Sequence, residues 1–297
     1  MLKKLKVLAL VGIGVAIAVA GCGGGQKISM PAEGVQLSYK PAVGKTFTYR
    51  AVVKKYIQTS EKGVSIEKQV SGDVTFDVSV LDAGEGGKAT MKYKFKNVAV
   101  SVFQNNQIQP SDEVEDLKDL EFTVYLDTSG SMDSLEGIDL EEEFQKKEIS
   151  PIDFLLTFPI PQEKVKIGYS WENVQDTTVQ GEHGTATQKV KVTYNISDFV
   201  MLDGARCVVA DIKGTIHMTQ KGESEDEDGT VYEIDMTMDG DIKGKIYFDV
   251  DNGCVVKYQS NKMVDVKGTQ TNTDTGEQHP ISYYNQETID AKLLKNK

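Results

Sequence analysis

Cations, histidine, tryptophan and cysteine are all scarce in this chain. Lys and Arg number 33 against 45 Asp and Glu, giving a formal net charge of -12. That sign excludes phosphate-backbone recognition, which needs clustered Lys and Arg, so nucleic acid is not an expected partner. The three histidines, His183, His217 and His279, lack the spacing of a His-Glu-x-x-His helix. There is no Gly-x-Ser-x-Gly elbow and no nucleotide loop, and neither Cys207 nor Cys254 stands in the sequence context of a nucleophile. These absences point away from an enzyme, and no cofactor is expected. The one long apolar run, residues 7–20, is too short to cross a bilayer comfortably.

What the chain has in quantity is alternation with a period of two. Val74, Phe76, Val78 and Val80 are separated by Thr75, Asp77 and Ser79, and Met91, Tyr93 and Phe95 by Lys92 and Lys94. Such runs are half-buried strands. The phase slips at Asn97, after which Val98, Val100 and Val102 carry the apolar positions, as an inserted bulge residue requires. Val190 to Ile196, Tyr232 to Met238 and Ile246 to Val250 repeat the pattern, and Asp203-Gly204, Asp228-Gly229 and Asp251-Asn252-Gly253 supply turns between them.

Helix signals are few. Ser150-Pro151-Ile152-Asp153 offers an N-cap, a proline at the first helical position and an acid in the first turn, predicting a short helix over 151–157. Residues 140–147 and 287–294 are further short candidates. One-sided strands with so little helix to cover them bury their apolar faces by folding over or curling.

An internal repeat shapes the expected architecture. Gly44-Lys45-Thr46-Phe47 resembles Gly168-Tyr169-Ser170-Trp171, and the strand ending at Asp127 resembles the strand ending at Asp249 at nearly the same offset. The expected fold is therefore mainly β: two related halves of curved antiparallel sheet, 35–148 and 149–285, with a few short helices and a C-terminal tail at 286–297.

The first 25 residues carry the signal for location. Lys3, Lys4 and Lys6 precede the apolar run, and Val19-Ala20-Gly21-Cys22 follows it. This resembles the lipobox of bacterial lipoproteins, which implies cleavage of a signal peptide over 1–21 and acylation of Cys22. Each buried methylene contributes about 0.8 kcal/mol, so several acyl chains hold a protein durably. Residues 22–34, rich in Gly and polar side chains, read as a lipidated flexible stalk. The expected location is the cell membrane or outer membrane, lipid-anchored and facing the periplasm or exterior.

Further along, Val43-Gly44-Lys45-Thr46-Phe47-Thr48-Tyr49, Phe158-Pro159-Ile160-Pro161, Val165 to Trp171 and Ile246-Tyr247-Phe248-Asp249 resemble an uncharacterised family of bacterial lipoproteins, a domain of unknown function. At the level of architecture alone the chain is similar to periplasmic lipoprotein carriers, whose curved sheet encloses an apolar cavity.

Several residue groups are candidates for a site. Asp127-Thr128-Ser129-Gly130-Ser131 resembles the Asp-x-Ser-x-Ser element of von Willebrand factor A domains, which implies a divalent cation held by Asp127, Ser129 and Ser131 and, as an alternative function, a cation-dependent adhesion module. The competing reading is a hairpin turn, because the repeat places a plain turn at 249–253. The acidic run 223–229 departs from the calcium-loop template at two positions and reads as a hairpin tip. Cys207 and Cys254 can form a disulfide in an exported protein or remain buried thiols. Met91, Tyr93, Phe95, Met236 and Met238 either line a cavity for an apolar ligand or envelope partner, or simply fill the core. A non-enzymatic binding or structural role is the expectation.

Overall fold

The computed structural model describes residues 25–40, 42–61, 64–84, 88–105, 107–110, 117–127, 129–138, 149–181, 184–225 and 230–296. Fifteen strands follow one another: β1 (Gln26–Lys27), β2 (Val35–Gln36), β3 (Thr46–Glu61), β4 (Val64–Ala83), β5 (Ala89–Gln104), β6 (Gln107–Pro110), β7 (Glu121–Leu126), β8 (Met132–Glu136), β9 (Lys164–Val165), β10 (Ser170–Gly181), β11 (Gly184–Leu202), β12 (Ala205–Glu225), β13 (Val231–Asp249), β14 (Cys254–Asn272) and β15 (Gln278–Asn296). Among the described residues, helical geometry is confined to Leu117 and the 3-10 turn Pro151–Phe154. The turn is shorter than the predicted helix, and the candidate at 140–147 lies outside the described residues.

Thirteen of the strands form one antiparallel sheet in the order β1-β11-β12-β13-β14-β15-β3-β4-β5-β7-β8, with β10 on β11 and β6 on β5; β2 and β9 pair separately. The expectation of two halves is corrected here. β15 pairs with β14 on one side, from Lys257↔Lys292 to Thr271↔Gln278, and with β3 on the other, from Ile281↔Glu61 to Asn296↔Phe47. The early strands and the late strands are thereby joined into one continuous surface. Each half alone would leave an edge of unpaired backbone groups, on β14 and on β3, and the last strand satisfies both. The helix expected at 287–294, and the expected tail from 286 as far as Asn296, belong to β15. Glu287, Ile289 and Ala291 point inward while Asp290 and Lys292 are exposed, a period of two that a helix cannot produce.

The elements of the repeat do share local form. Gly44 and Gly168 both have positive φ, 84° and 87°, in turns closed by Lys45 N to Ala42 O and by Tyr169 N to Lys166 O. The predicted slip near Asn97 is a bulge: Asn97 pairs with Thr75 and Phe95 with Phe76, leaving Lys96 without an opposite residue.

One end of the sheet holds the core. Residues 149–160 cross its inner face outside any strand, with Ile149, Phe154, Leu156, Phe158 and Ile160 all buried. Phe154 packs on Phe76 and Phe95 at 5.7 and 5.4 Å between ring centroids, and Phe158 on Phe248 at 5.5 Å. The backbone of this strap is held at three points. The Phe158 amide donates to the Tyr39 hydroxyl at 2.9 Å, Ile160 N donates to Ser129 O at 2.7 Å, and the Trp171 indole donates to Pro159 O at 3.0 Å. Met91, Tyr93 and Phe95 are buried in this core. A cavity of about 30 Å³ lies among Tyr39, Tyr49, Met91 and Tyr93, about enough for one water molecule.

Within the segment expected as a lipidated flexible stalk, residues 22–34, three described residues bond to β11. Gln26 and Lys27 pair with Met201 and Val200, and Ile28 N donates to Phe199 O at 3.0 Å.

Candidate binding face and buried charge cluster

β11 to β15 are 19 to 21 residues long, about 60 Å if fully extended. The main apolar cluster reaches Val192, Ile242 and Tyr258 on these strands and stops there. Outward of that limit the inner face stays largely apolar. Met218, Met238, Val266 and Tyr283 stand side by side in register across four strands, with Ile216, Gly240, Val264 and Asn285 in the row beneath and Gln220, Met236, Gly268 and Ile281 in the row above. All are half-buried except Val264, which is buried. The opposite face of the same strands carries His217, Asp239 and Lys267, all exposed. A two-faced strand normally sits with its apolar side on a core; here part of that side remains accessible, and methionine supplies much of it. Thioether side chains are flexible and polarisable, which suits a surface that must accept varied apolar shapes.

Between the strap and this face lies a cluster of four charges. Lys55 of β3 reaches Asp153 of the 3-10 turn at 2.8 Å and Glu287 of β15 at 2.6 Å. Lys262 of β14 reaches Glu287 at 3.1 Å and Asp153 at 3.8 Å. Asp153 also accepts from Ser150 N at 3.1 Å. Burial by itself would lower the Lys55 pKa, yet the two carboxylates outweigh it and hold it above its ordinary value; Lys262 is raised through the same opposition. Burial pushes Asp153 up, but Lys55 and Lys262 pull it further down, so its carboxyl sits below the usual range. Both carboxylates are therefore engaged with cations, and the cluster fastens the strap to the sheet.

The other expected site residues fall as follows. Asp127 Oδ1 accepts from Ser129 N at 2.8 Å, Ser129 Oγ at 2.7 Å and Ser131 N at 3.0 Å, and Gly130 N donates to Asp127 O at 3.1 Å. Burial raises the Asp127 pKa, and these donors outweigh it and lower it overall. The loop thus forms an Asx turn between β7 and β8. Asp249 builds a similar turn, accepting from Asp251 N at 2.8 Å and Asn252 N at 3.2 Å. Cys207 and Cys254 are both free and buried. They stand opposite Asp249 from its two sides, two strand spacings apart at about 10 Å, beyond the reach of a disulfide. Burial pushes each thiol up to about 12. His217 Nδ1 lies 2.8 Å from Asp239, and Asp235 pairs with Lys221 at 2.7 Å. Cys22, His183 and residues 226–229 lie outside the described residues.

The charge cluster escaped the sequence reading, and the reason is plain. Lys54-Lys55 and Lys262 look like ordinary solvated lysines. The one local sign was Glu287, which shares its phase with Ile289 and Ala291.

Residues 139–255 match a family of unknown function (DUF6263). No curated protein matches the sequence. Among solved structures, OccK5 (OpdH) of Pseudomonas aeruginosa aligns over 86% of this chain and 100% of its own, at 6% identity and a TM-score of 0.26. The COG4313 outer membrane channel from Pseudomonas putida F1 aligns over 90% and 100%, at 9% identity and a TM-score of 0.21. A DUF1329 family protein from Desulfovibrio piger aligns over 86% and 86%, at 8% and 0.14. At such TM-scores the likeness carries no argument about this chain.

Proposed function

We propose that this is a cell-envelope protein tethered to a membrane by acylation of Cys22, and that it binds an apolar chain on the inner face of β12 to β15 without catalysing a reaction. The observation that carries the reading is the row Met218, Met238, Val266 and Tyr283, half-exposed on a strand face whose other side is charged. Three rows across four strands cover on the order of 300 Å². A standard protein interface needs roughly 800 Å² per partner, so an acyl chain fits this face better than a second folded surface does. The short link from Cys22 to the paired β1 supports a close tether: Gln26 is only four residues on.

The test is mass spectrometry of the full-length protein extracted gently from its own membrane. Acylated Cys22 with a co-eluting lipid that disappears in Met238→Lys is the expected result. An unmodified Cys22 would remove the tether, and a bare body whose lipid content Met238→Lys leaves unchanged would remove the binding face.

A further inference from the structure

The outer face of β3, β4, β5 and β15 carries a row of aromatic, apolar and amide side chains. In register across it run Ile108 of β6, Phe103 of β5, Gln69 of β4, Tyr56 of β3 and Gln286 of β15. From Phe103 onward the row alternates between aromatic rings and primary amides. It lines a groove of about 700 Å³ together with Lys54 and the hydroxyls of the neighbouring row, Ser71, Ser101 and Thr288, a volume within the usual range of ligand sites. Phe103 is 40% exposed and Ile108 76%. The Tyr56 ring meets Tyr284 edge-on at 6.2 Å.

We propose that this groove binds a glycan chain, one whose rings carry N-acetyl groups. A pyranose ring has an apolar C–H face, which stacks on an aromatic side chain, and an equatorial rim of donors and acceptors. Tyr56 and Phe103 supply the stacking surfaces. Gln69 lies between them and Gln286 beyond Tyr56, each with two donors and an acceptor for hydroxyls or acetamido groups. The two rings are two strands apart, about 10 Å, close to the separation of alternate rings in an extended β-linked chain running across the strands. A wholly apolar ligand would leave the row's amides, and the hydroxyls beside them, without partners, and an acidic chain of net charge -12 does not suit a nucleic acid. This site is on the opposite side of the sheet from the apolar face and does not depend on it.

The experiment is calorimetric titration of the detergent-solubilised full-length protein with N-acetylglucosamine oligomers of increasing length. Affinity is expected to rise with length and level off once the groove is spanned. Phe103→Ala and Tyr56→Ala should each weaken the longest oligomer tenfold or more, Tyr56→Phe should keep most of the affinity, and Met238→Lys on the other face should change nothing. Gln69→Leu, a change on an exposed side chain that leaves the core intact, should weaken binding as well and covers the case in which an alanine variant misfolds. Absence of binding, or binding unaltered in Phe103→Ala and Gln69→Leu, would overturn the proposal. So would decanoate occupying the groove where the oligomers do not, since that would make it a second apolar site.

Discussion

Lys55 and Glu287 face each other across β3 and β15 with 2.6 Å between Nζ and Oε2, their side chains only 8% and 3% exposed. A buried pair of this kind adds little over a well-packed apolar pair, but removing one partner strands the other charge in a poor dielectric. Glu287→Ala should therefore cost roughly 3–5 kcal/mol, while the double replacement Lys55→Met with Glu287→Leu should cost distinctly less. Urea midpoints of the three proteins measure the difference. Equal losses in the single and double variants would mean that the charges do not act as a pair.

The same cluster sets a pH dependence. Asp153 has its folded pKa held below the unfolded value of about 3.9, so its contribution is present above that pH and is lost as the pH falls through the folded value. Lys55 is shifted upward, so its contribution is complete below about pH 10 and is lost on the alkaline side. Asp153→Asn should flatten the acid limb of a plot of urea midpoint against pH below about pH 4 and lower the plateau above it. An unchanged acid limb would place the acid sensitivity elsewhere.

Gly130 and Gly44 form a matched pair for mutation. Both have positive φ, 79° and 84°, but a Cβ on Gly130 would overlap the ring of Tyr39 whereas nothing lies within 4 Å of one on Gly44. Gly44→Ala should cost about 1 kcal/mol for the backbone alone, and Gly130→Ala at least about 2 kcal/mol because the Tyr39 bonds to the strap must shift as well. Thermal unfolding of the two variants side by side is the measurement, and a reversed order would mean that Tyr39 yields easily.

Cys207 and Cys254 should both react with iodoacetamide in denaturant without prior reduction, and with neither in the folded protein within minutes, since burial pushes each thiol to about 12. Intact mass before and after alkylation reads the outcome. A two-proton deficit that disappears on reduction would mean that the two strands come closer than their register allows.

The Asx turn at Asp127 gives a loss of about 1–2 kcal/mol for Asp127→Ala, the same in chelator as in millimolar calcium. A calcium-dependent midpoint in the unmodified protein would make the three oxygens of Asp127, Ser129 and Ser131 cation ligands instead.

Strands were legible because alternation is a local signal, and so was the bulge near Asn97, where only a few neighbouring residues decide the geometry. The placement of β15 was not. The sequence over 287–294 suggests a helix because Glu287, Asp290, Ala291 and Lys292 carry little strand propensity, and strand propensity depends heavily on what stands on either side. The partners that impose the extended form on them lie in β3 and β14, invisible to any window of a dozen residues. The charge cluster was hidden for the same reason: its four members come from 55, 153, 262 and 287, and only the completed sheet puts them within reach of one another.

The pairing of Asn296 with Phe47 also orders events in time. A chain that emerges N-terminus first presents β3 long before its neighbour exists, and β14 must likewise wait beside an open edge. Contacts of such sequence separation form slowly, and the waiting edges are sites where another chain can add itself. The nineteen residues of β15 thus act as the closing piece of an arch: until they arrive, the molecule is two unfinished sheets, and a deletion of only that strand would abolish the structure on both sides of it.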